Sequence, residues 1–369
     1  MAAVTHLADV LGRHVQAGTM PGAVATVGRD LDPVAVGSMS LDGPPMPVDA
    51  IVRIQSMTKL VTAVAALRLV EEGVLDLDDP VQRWLPELAD RVVLRHPAAD
   101  LDDTCPAARP ITLRHLLTCT SGYGQTFTDS PLRRAIAASG LEGSGEPVAL
   151  AADDWLHALA ALPLAADPGD GWRYHDSYGL LGILLGRLTG ASTSETLAAT
   201  VLDPVGMVDT GFAVPERDLH RLPAAYRHTA AGLAEIEPAG AGFYAVAPPF
   251  DVSHAELVST AADYVALLRA LLEGRLVAPE HLAALRTDQV PAHAKRPDDF
   301  FPDFWTGTGW GWGVAVETEG SHRGRFGWSG GLGTDFFVDE DGTIGVLLTQ
   351  VEMGERVFPL LRDVQAVAD

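Results

Sequence analysis

Positive charge is scarce in this chain of 369 residues: 26 lysines and arginines stand against 49 aspartates and glutamates, a formal net charge of −23 with an isoelectric point near 4.7. With no cluster of Lys or Arg to neutralise a run of phosphates, a nucleic-acid partner is excluded. The acidity is spread along the chain and reads as a solubility feature. Cysteine is scarcer still. Cys105 and Cys119 stand alone, which excludes a disulfide framework and leaves free thiols as the expectation. No stretch reaches the roughly 18 apolar residues of a membrane span, and Leu180 to Leu185 is among the longest runs. From Met1 to Gln16 the apolar residues are interrupted by His6, Asp9, Arg13 and His14, the pattern of an amphipathic helix rather than a signal peptide. A soluble, cytoplasmic protein without a membrane partner is expected. Twelve histidines are scattered, none in a His-Glu-x-x-His pattern, so no metal is expected. Gly307-Thr308-Gly309-Trp310-Gly311 neither follows a strand nor opens a helix, and no dinucleotide or other cofactor is expected.

What is present is a chain 47% hydrophobic, enough for one large domain with an insertion or for two domains. Gly22 to Gly28 reads as a strand, with Pro33 to Gly37 as its hairpin partner. Gly311 to Val316, Arg325 to Trp328, Thr334 to Val338 and Ile344 to Thr349 read as successive antiparallel strands, with Asp339-Glu340-Asp341-Gly342 as a hairpin turn. Between these ends the patterns are helical: from about Ser56 to Glu72, after Thr112, from Ala152 to Leu162, up to Leu188, from Ser192 to Leu202 and from Ser259 or Thr260 to Leu272. A last helix spans about Glu355 to Val367. Residues 90 to 110 and 213 to 250 read as irregular, and Ser139 to Gly145 as a loop. The expectation is an α/β (α+β) fold in which both chain ends build one antiparallel sheet. It divides into a discontinuous sheet domain, 1–64 with 255–369, and a mostly helical one, 65–254, with the site at their interface.

The stretch Arg53-Ile54-Gln55-Ser56-Met57-Thr58-Lys59 carries the chemistry. Leu60, Val64 and Leu67 recur at helical spacing, so Ser56 and Lys59 share one face at i and i+3. A serine hydroxyl becomes a nucleophile when a base takes its proton, and lysine can be that base once its pKa falls from about 10.4 toward neutrality. A helix N-terminus at Ser56 also offers backbone N–H groups to a developing oxyanion. A lone Ser-x-x-Lys is a cheap motif, and an N-cap serine followed by a solvated lysine explains it equally well. A rival nucleophile, Ser177 in His175-Asp176-Ser177-Tyr178-Gly179, approaches a Gly-x-Ser-x-Gly elbow. It lacks the first glycine, and a loop rather than an apolar strand precedes it.

Six ordered stretches settle between these readings by resemblance: Arg53 to Lys59; Ile111 to Gly122, close to a "TLRHLLTHTSG" corner with Cys119 in place of its histidine; Trp172 to Gly182, with Tyr174; Asp203 to Thr210; Leu257 to Tyr264; and Phe326 to Gly331. Together they resemble the serine β-lactamase and penicillin-binding-protein-like hydrolases of the class C type, most of all their esterase branch, the family VIII carboxylesterases. The resemblance implies a β-lactamase/transpeptidase-like fold with Ser56 as nucleophile, Lys59 as its proton partner and Tyr174 as second base, its phenol pKa lowered by the neighbouring ammonium. It further implies that Trp328, Ser329 and Gly330 lie on an edge strand facing Ser56, and that the N–H groups of Ser56 and Gly331 form an oxyanion hole. Relatives that recognise penicillins carry Lys-Thr-Gly or His-Thr-Gly where this chain has Trp328-Ser329-Gly330, so the cation that holds a substrate carboxylate is missing and neutral esters are favoured. Asp176 stands where Asn is usual, as a structural or Lys59-pairing acid. His254 and Glu256 stand in a segment usually rich in glycine. Tyr123 and Phe127, with Trp305, Trp310, Trp312 and Trp328, are candidates to wall an apolar acyl cleft.

The expected function is an acyl-enzyme carboxylesterase acting on a small ester, without cofactor. An amidase or D-amino-acid peptidase, an acyltransferase of secondary metabolism and a weak β-lactamase share that intermediate and remain open. So does a catalytically inactive, penicillin-binding-like scaffold. Oligomeric state is not legible.

Overall fold

The computed structural model describes residues 2–29, 31–142, 147–297 and 300–368. Residues 143–145 of the loop expected over 139–145 lie outside them. Side chains alternate between the two faces of a strand, and Gly22–Gly28 divides its residues accordingly. Ala23 and Ala25 face the helices Ala2–Gln16 and Phe358–Gln365, packing with Leu7, Leu11, Leu360 and Val364. Val24 faces the larger core on the other side. The same division places Leu347 with the terminal helices and Val346 and Leu348 with the larger core.

Seven antiparallel strands form the main sheet in the order Val34–Gly37, Gly22–Gly28, Ile344–Leu348, Thr334–Val338, Phe326–Gly330, Ala315–Glu317, Thr308–Trp310. The first long strand pairs directly with the last, Val24 opposite Leu348 and Gly28 opposite Ile344. The fold is the expected β-lactamase/transpeptidase-like one, its sheet built from both ends of the chain. The Asp339–Gly342 turn closes as read, with the Gly342 N–H donating to the Asp339 carbonyl at 3.0 Å and Gly342 at φ 84°.

A short strand, Val52–Arg53, pairs with Val258–Ser259 and delivers the chain to the site. Gln55 then takes φ 51°, a 3₁₀ turn runs over Gln55–Met57, and the helix Thr58–Glu71 follows. Every residue from Thr58 to Leu67 is buried, so this helix is enclosed on all sides rather than amphipathic. Burying its leucines and valines contributes roughly 1.5–3 kcal/mol each, which anchors the turn that carries Ser56. The helix ends where Gly73 adopts φ 70°, a C′ glycine as its sequence suggests.

Several elements differ from expectation. Gly311 to Val316 is no single strand: Thr308–Trp310 and Ala315–Glu317 are two strands joined by a turn. In that turn the Gly311 N–H donates to the Val314 carbonyl at 2.9 Å, and Gly313 sits at φ 81°. The segments read as irregular contain small hairpins, Val92–Leu94 with Thr104–Pro106 and Ala225–Thr229 with Gly232–Glu237. Their strands are short or mostly polar and lack an apolar alternation. Helices Pro131–Ala138 and Pro279–Leu285 were not expected either; the first is capped by Ser130, whose hydroxyl accepts from the Arg133 N–H. The Ser192–Leu202 helix is α only over Thr193–Leu197 and continues as a π turn over Ala198–Leu202. Among the described residues no helix is long and apolar enough to cross a membrane.

Candidate active site

Ser56 lies in the 3₁₀ turn and Lys59 in the first turn of the helix, which brings Lys59 Nζ to 3.1 Å from Ser56 Oγ. Lys59 is fully buried and donates a second hydrogen bond to the His254 carbonyl at 2.6 Å. Its Nζ also lies over the Tyr174 ring, 4.4 Å from the centroid. Burial disfavours the ammonium and pulls the Lys59 pKa down from 10.5 to about 7, with the Asp176 carboxyl nearby pulling the other way. At neutral pH a substantial fraction of Lys59 is therefore the free base that an attacking serine requires.

Tyr174 shares the Ser56 hydroxyl and receives a hydrogen bond from Trp328 Nε1 at 2.6 Å. The resemblance implies that the neighbouring ammonium lowers this phenol's pKa. Instead burial raises it well above 10.0, and the bonds from Ser56 and Trp328 only soften the rise. The correction follows from Lys59 itself: a lysine that has lost much of its charge cannot stabilise a phenolate. Tyr174 is a neutral phenol, able to donate a proton and to accept one in exchange.

The strand Phe326–Gly330 closes the site from the sheet side; it is not the expected edge strand but lies between Thr334–Val338 and Ala315–Glu317, the latter pairing only with its Phe326 and Gly327. Trp328 pairs opposite Phe336 and faces Tyr174. The next residue must face away, and Ser329 Oγ donates to Asp335 Oδ1 at 2.7 Å on the far side, where Gln365 also binds that carboxylate. Only the backbone of Ser329 is thus presented toward Ser56. Gly330 is required by contact, since a Cβ there would stand 2.4 Å from the Ile54 carbonyl and 2.2 Å from Thr334 Oγ1. The Gly331 carbonyl accepts from the Met353 N–H at 2.8 Å, which fixes the turn beside the nucleophile.

Of the six non-glycine residues with positive φ among those described, Gln55, Cys119 and His175 surround this site. Such conformations are costly and persist where packing dictates them. Cys119 and Cys105 are free thiols, and burial pushes the Cys119 thiol up to about 12, so it is inert. Asp176 opens the helix Asp176–Thr189, and burial, with Glu142 nearby, raises its carboxyl to about 7 while Lys59 pulls it down. The His254 ring stacks on that of His175 at 3.7 Å, and burial holds both imidazoles neutral. His254 therefore reaches Lys59 through its carbonyl rather than its ring. Ser177 is fully buried, its hydroxyl tied to Ser121 Oγ at 2.8 Å, and is unavailable as a nucleophile.

The aromatic cleft is partly as read. Trp310 is buried beneath Trp328, edge-on at 4.8 Å, and Trp305 packs edge-on to Trp172 at 5.1 Å. Phe127 is exposed and meets Phe300 at 5.8 Å. Trp312 and Tyr123 belong to the core instead: Trp312 lies against His281, and the Tyr123 hydroxyl accepts from Arg91 Nη1 at 3.2 Å. The residue missed was Phe300, whose ring lies 4.8 Å from Tyr174 and 6.0 Å from Trp328. The aromatic density of Phe300-Phe301-Pro302-Asp303-Phe304-Trp305 was the signal for it.

Comparison with known proteins gives the family and the fold. The family model described as "Beta-lactamase" matches residues 7–368. Protein Rv1367c of Mycobacterium tuberculosis (strain ATCC 25618 / H37Rv) is 37% identical over 338 residues, covering 86% of this chain and 80% of its own. Esterase EstB of Burkholderia gladioli is 32% identical over 351 residues, covering 89% and 85%. Among solved structures, "EstCE1, a hydrolase with promiscuous acyltransferase activity" superposes with a TM-score of 0.81 at 26% identity, over 100% of this chain and 99% of that one. The chain belongs to the beta-lactamase family, within the serine β-lactamase and penicillin-binding-protein-like group that includes its esterases.

Proposed function

We propose that the protein is a carboxylesterase that hydrolyses small esters through an acyl-enzyme on Ser56. The observation that carries this reading is the 3.1 Å contact between Ser56 Oγ and a fully buried Lys59 whose pKa is about 7. Lys59 as free base takes the hydroxyl proton while Ser56 Oγ bonds to the ester carbonyl carbon. The resulting oxyanion is received by the N–H groups of Ser56 and Gly331. Collapse breaks the acyl–oxygen bond, and the leaving alkoxide takes a proton from the Tyr174 hydroxyl, which regains one from the Lys59 ammonium beside it, the proton that Lys59 took from Ser56. Water then repeats the sequence in reverse and frees the acid.

Trp328 supports the choice of substrate. An indole stands where a cation would hold a carboxylate, backed from beneath by the buried Trp310, and Phe300 and Phe127 extend the apolar surface around it. Neutral, small esters fit such a wall better than penicillins or peptide stems. A p-nitrophenyl acyl ester should give a burst of product equal to the enzyme present. Ser56→Ala and Lys59→Ala should each abolish turnover in folded protein, whereas Ser177→Ala should not. The reverse pattern for Ser56 and Ser177 overturns the assignment, and a folded protein that forms no fluorophosphonate adduct is a binding scaffold. Because EstCE1 is described as having acyltransferase activity, product analysis with an added alcohol or amine identifies the acceptor.

A further inference from the structure

Beside Ser56, away from Tyr174, a chain of buried polar groups remains unused by this mechanism. Gln55 Nε2 donates to the Tyr244 hydroxyl at 3.2 Å, and that hydroxyl donates to Glu256 Oε2 at 3.0 Å. Tyr244 and Glu256 are 4% and 6% exposed, so these bonds have no ready substitute in water. The Val148 N–H also donates to Glu256, tying a third loop to it. The Arg53 guanidinium lies over the Tyr244 ring at 5.4 Å and is itself paired with Glu237 at 2.7 Å.

The chain ends on a residue under strain. Gln55 holds φ 51° immediately before the nucleophile, a conformation glycine adopts freely and glutamine does not. A Cβ at Gly330 would lie 3.0 Å from Gln55 Cβ, and one at Gly331 would lie 3.6 Å from Gln55 Oε1. The Gln55 side chain thus runs along the glycine turn assigned to the oxyanion. The segment Ser253 to Glu256 serves both flanks of Ser56: the His254 carbonyl binds Lys59, and two residues on Glu256 holds Tyr244.

We infer that Gln55, Tyr244 and Glu256 form a positioning clamp, which holds the Ser56 turn in its strained conformation and in register with the Gly330–Gly331 turn. None of the three touches the reacting atoms. Their effect is on how well Ser56 Oγ and the two oxyanion N–H groups are aimed once substrate is bound, so it falls on kcat rather than KM. The inference rests on the Ser56 acyl-enzyme reading above.

The test is steady-state kinetics on a p-nitrophenyl ester with Tyr244→Phe, which keeps the ring beneath Arg53, with Gln55→Met, which keeps the length of the side chain, and with both together. Each single variant should lose about tenfold in kcat with KM within about twofold, in a protein that stays folded with a melting temperature lowered by only a few degrees. The double variant should lose no more than either alone, because both break one link. Parental kcat in a folded Tyr244→Phe, or losses that multiply in the double variant, overturns the clamp. Fluorophosphonate labelling of the parent separates the two failures: no Ser56 adduct there means the acyl-enzyme reading has failed, whereas an adduct with unaffected variants sinks the clamp alone.

Discussion

The indole N–H of Trp328 donates to the phenolic oxygen of Tyr174 at 2.6 Å, so the aromatic residue proposed to wall the acyl cleft also grips the proposed proton donor. Two consequences can be separated by substitution. Trp328→Phe keeps aromatic packing against Trp310 and removes only the donor, and kcat should fall about tenfold for the loss of one hydrogen bond of roughly 1–1.5 kcal/mol. Trp328→Lys should lose more on neutral esters. Its kcat/KM ratio for a carboxylate-bearing ester over a neutral one should rise about tenfold or more, since a partly desolvated charge-assisted contact is worth roughly 1.5–3 kcal/mol. An unchanged ratio would show that position 328 does not meet the substrate.

The pH dependence follows from Lys59. With its pKa at about 7, kcat/KM should rise with pH through neutrality as the ammonium gives way to the free base. The same shift has a sign for stability. Between about 7 and 10.5 the unfolded chain binds the lysine proton and the folded chain does not, so stability gains with pH across that window. Below about 7 the burial cost is present in full. Lys59→Met should therefore be more stable than the parent at pH 6, with the advantage shrinking toward pH 10. Chemical denaturation at the two pH values measures it.

Asp176 partly offsets the burial that lowers the Lys59 pKa. Its charge opposes the desolvation of Lys59, so Asp176→Asn should move the acidic limb of the kcat/KM profile to lower pH. A limb that stays in place would mean that Asp176 remains protonated across the working range and only packs.

Gly330 is the point of closest approach between sheet and nucleophile turn. Gly330→Ala would place a methyl group 2.4 Å from the Ile54 carbonyl, and backbone cannot yield as a flexible side chain can. Activity should fall at least about a hundredfold, with a stability loss of about 1–3 kcal/mol, as overpacking typically costs. Thermal unfolding and turnover of the same preparation check both.

Much of this site could be read before folding. Ser56 and Lys59 share one helical face because spacing alone fixes it, and the terminal strands announced themselves by alternation and by the Asp339–Gly342 turn. What could not be read depended on the environment. The rise of the Tyr174 phenol pKa comes from burial that no local pattern encodes, and Tyr123 looks like a cleft aromatic until Arg91 is seen to hold its hydroxyl. The motif resemblance groups Ser329 with Trp328 and Gly330, although strand geometry turns neighbours to opposite faces. Phe300 and the Gln55–Tyr244 contact join segments far apart in sequence, and only tertiary packing reveals them.

The pairing of Gly22–Gly28 with Ile344–Leu348 has a consequence for biosynthesis. A ribosome makes the first of these strands long before its partner, so one long edge of the nascent chain stays open while all the residues between them are made. Closing so large a loop is slow, and the waiting edge is a template for pairing with the wrong chain. Trp328, Gly330 and Gly331 also emerge late, which means that a prematurely terminated product would hold Ser56 and Lys59 without the strand that completes their site. Turnover is therefore a report that synthesis has passed the strand Phe326–Gly330.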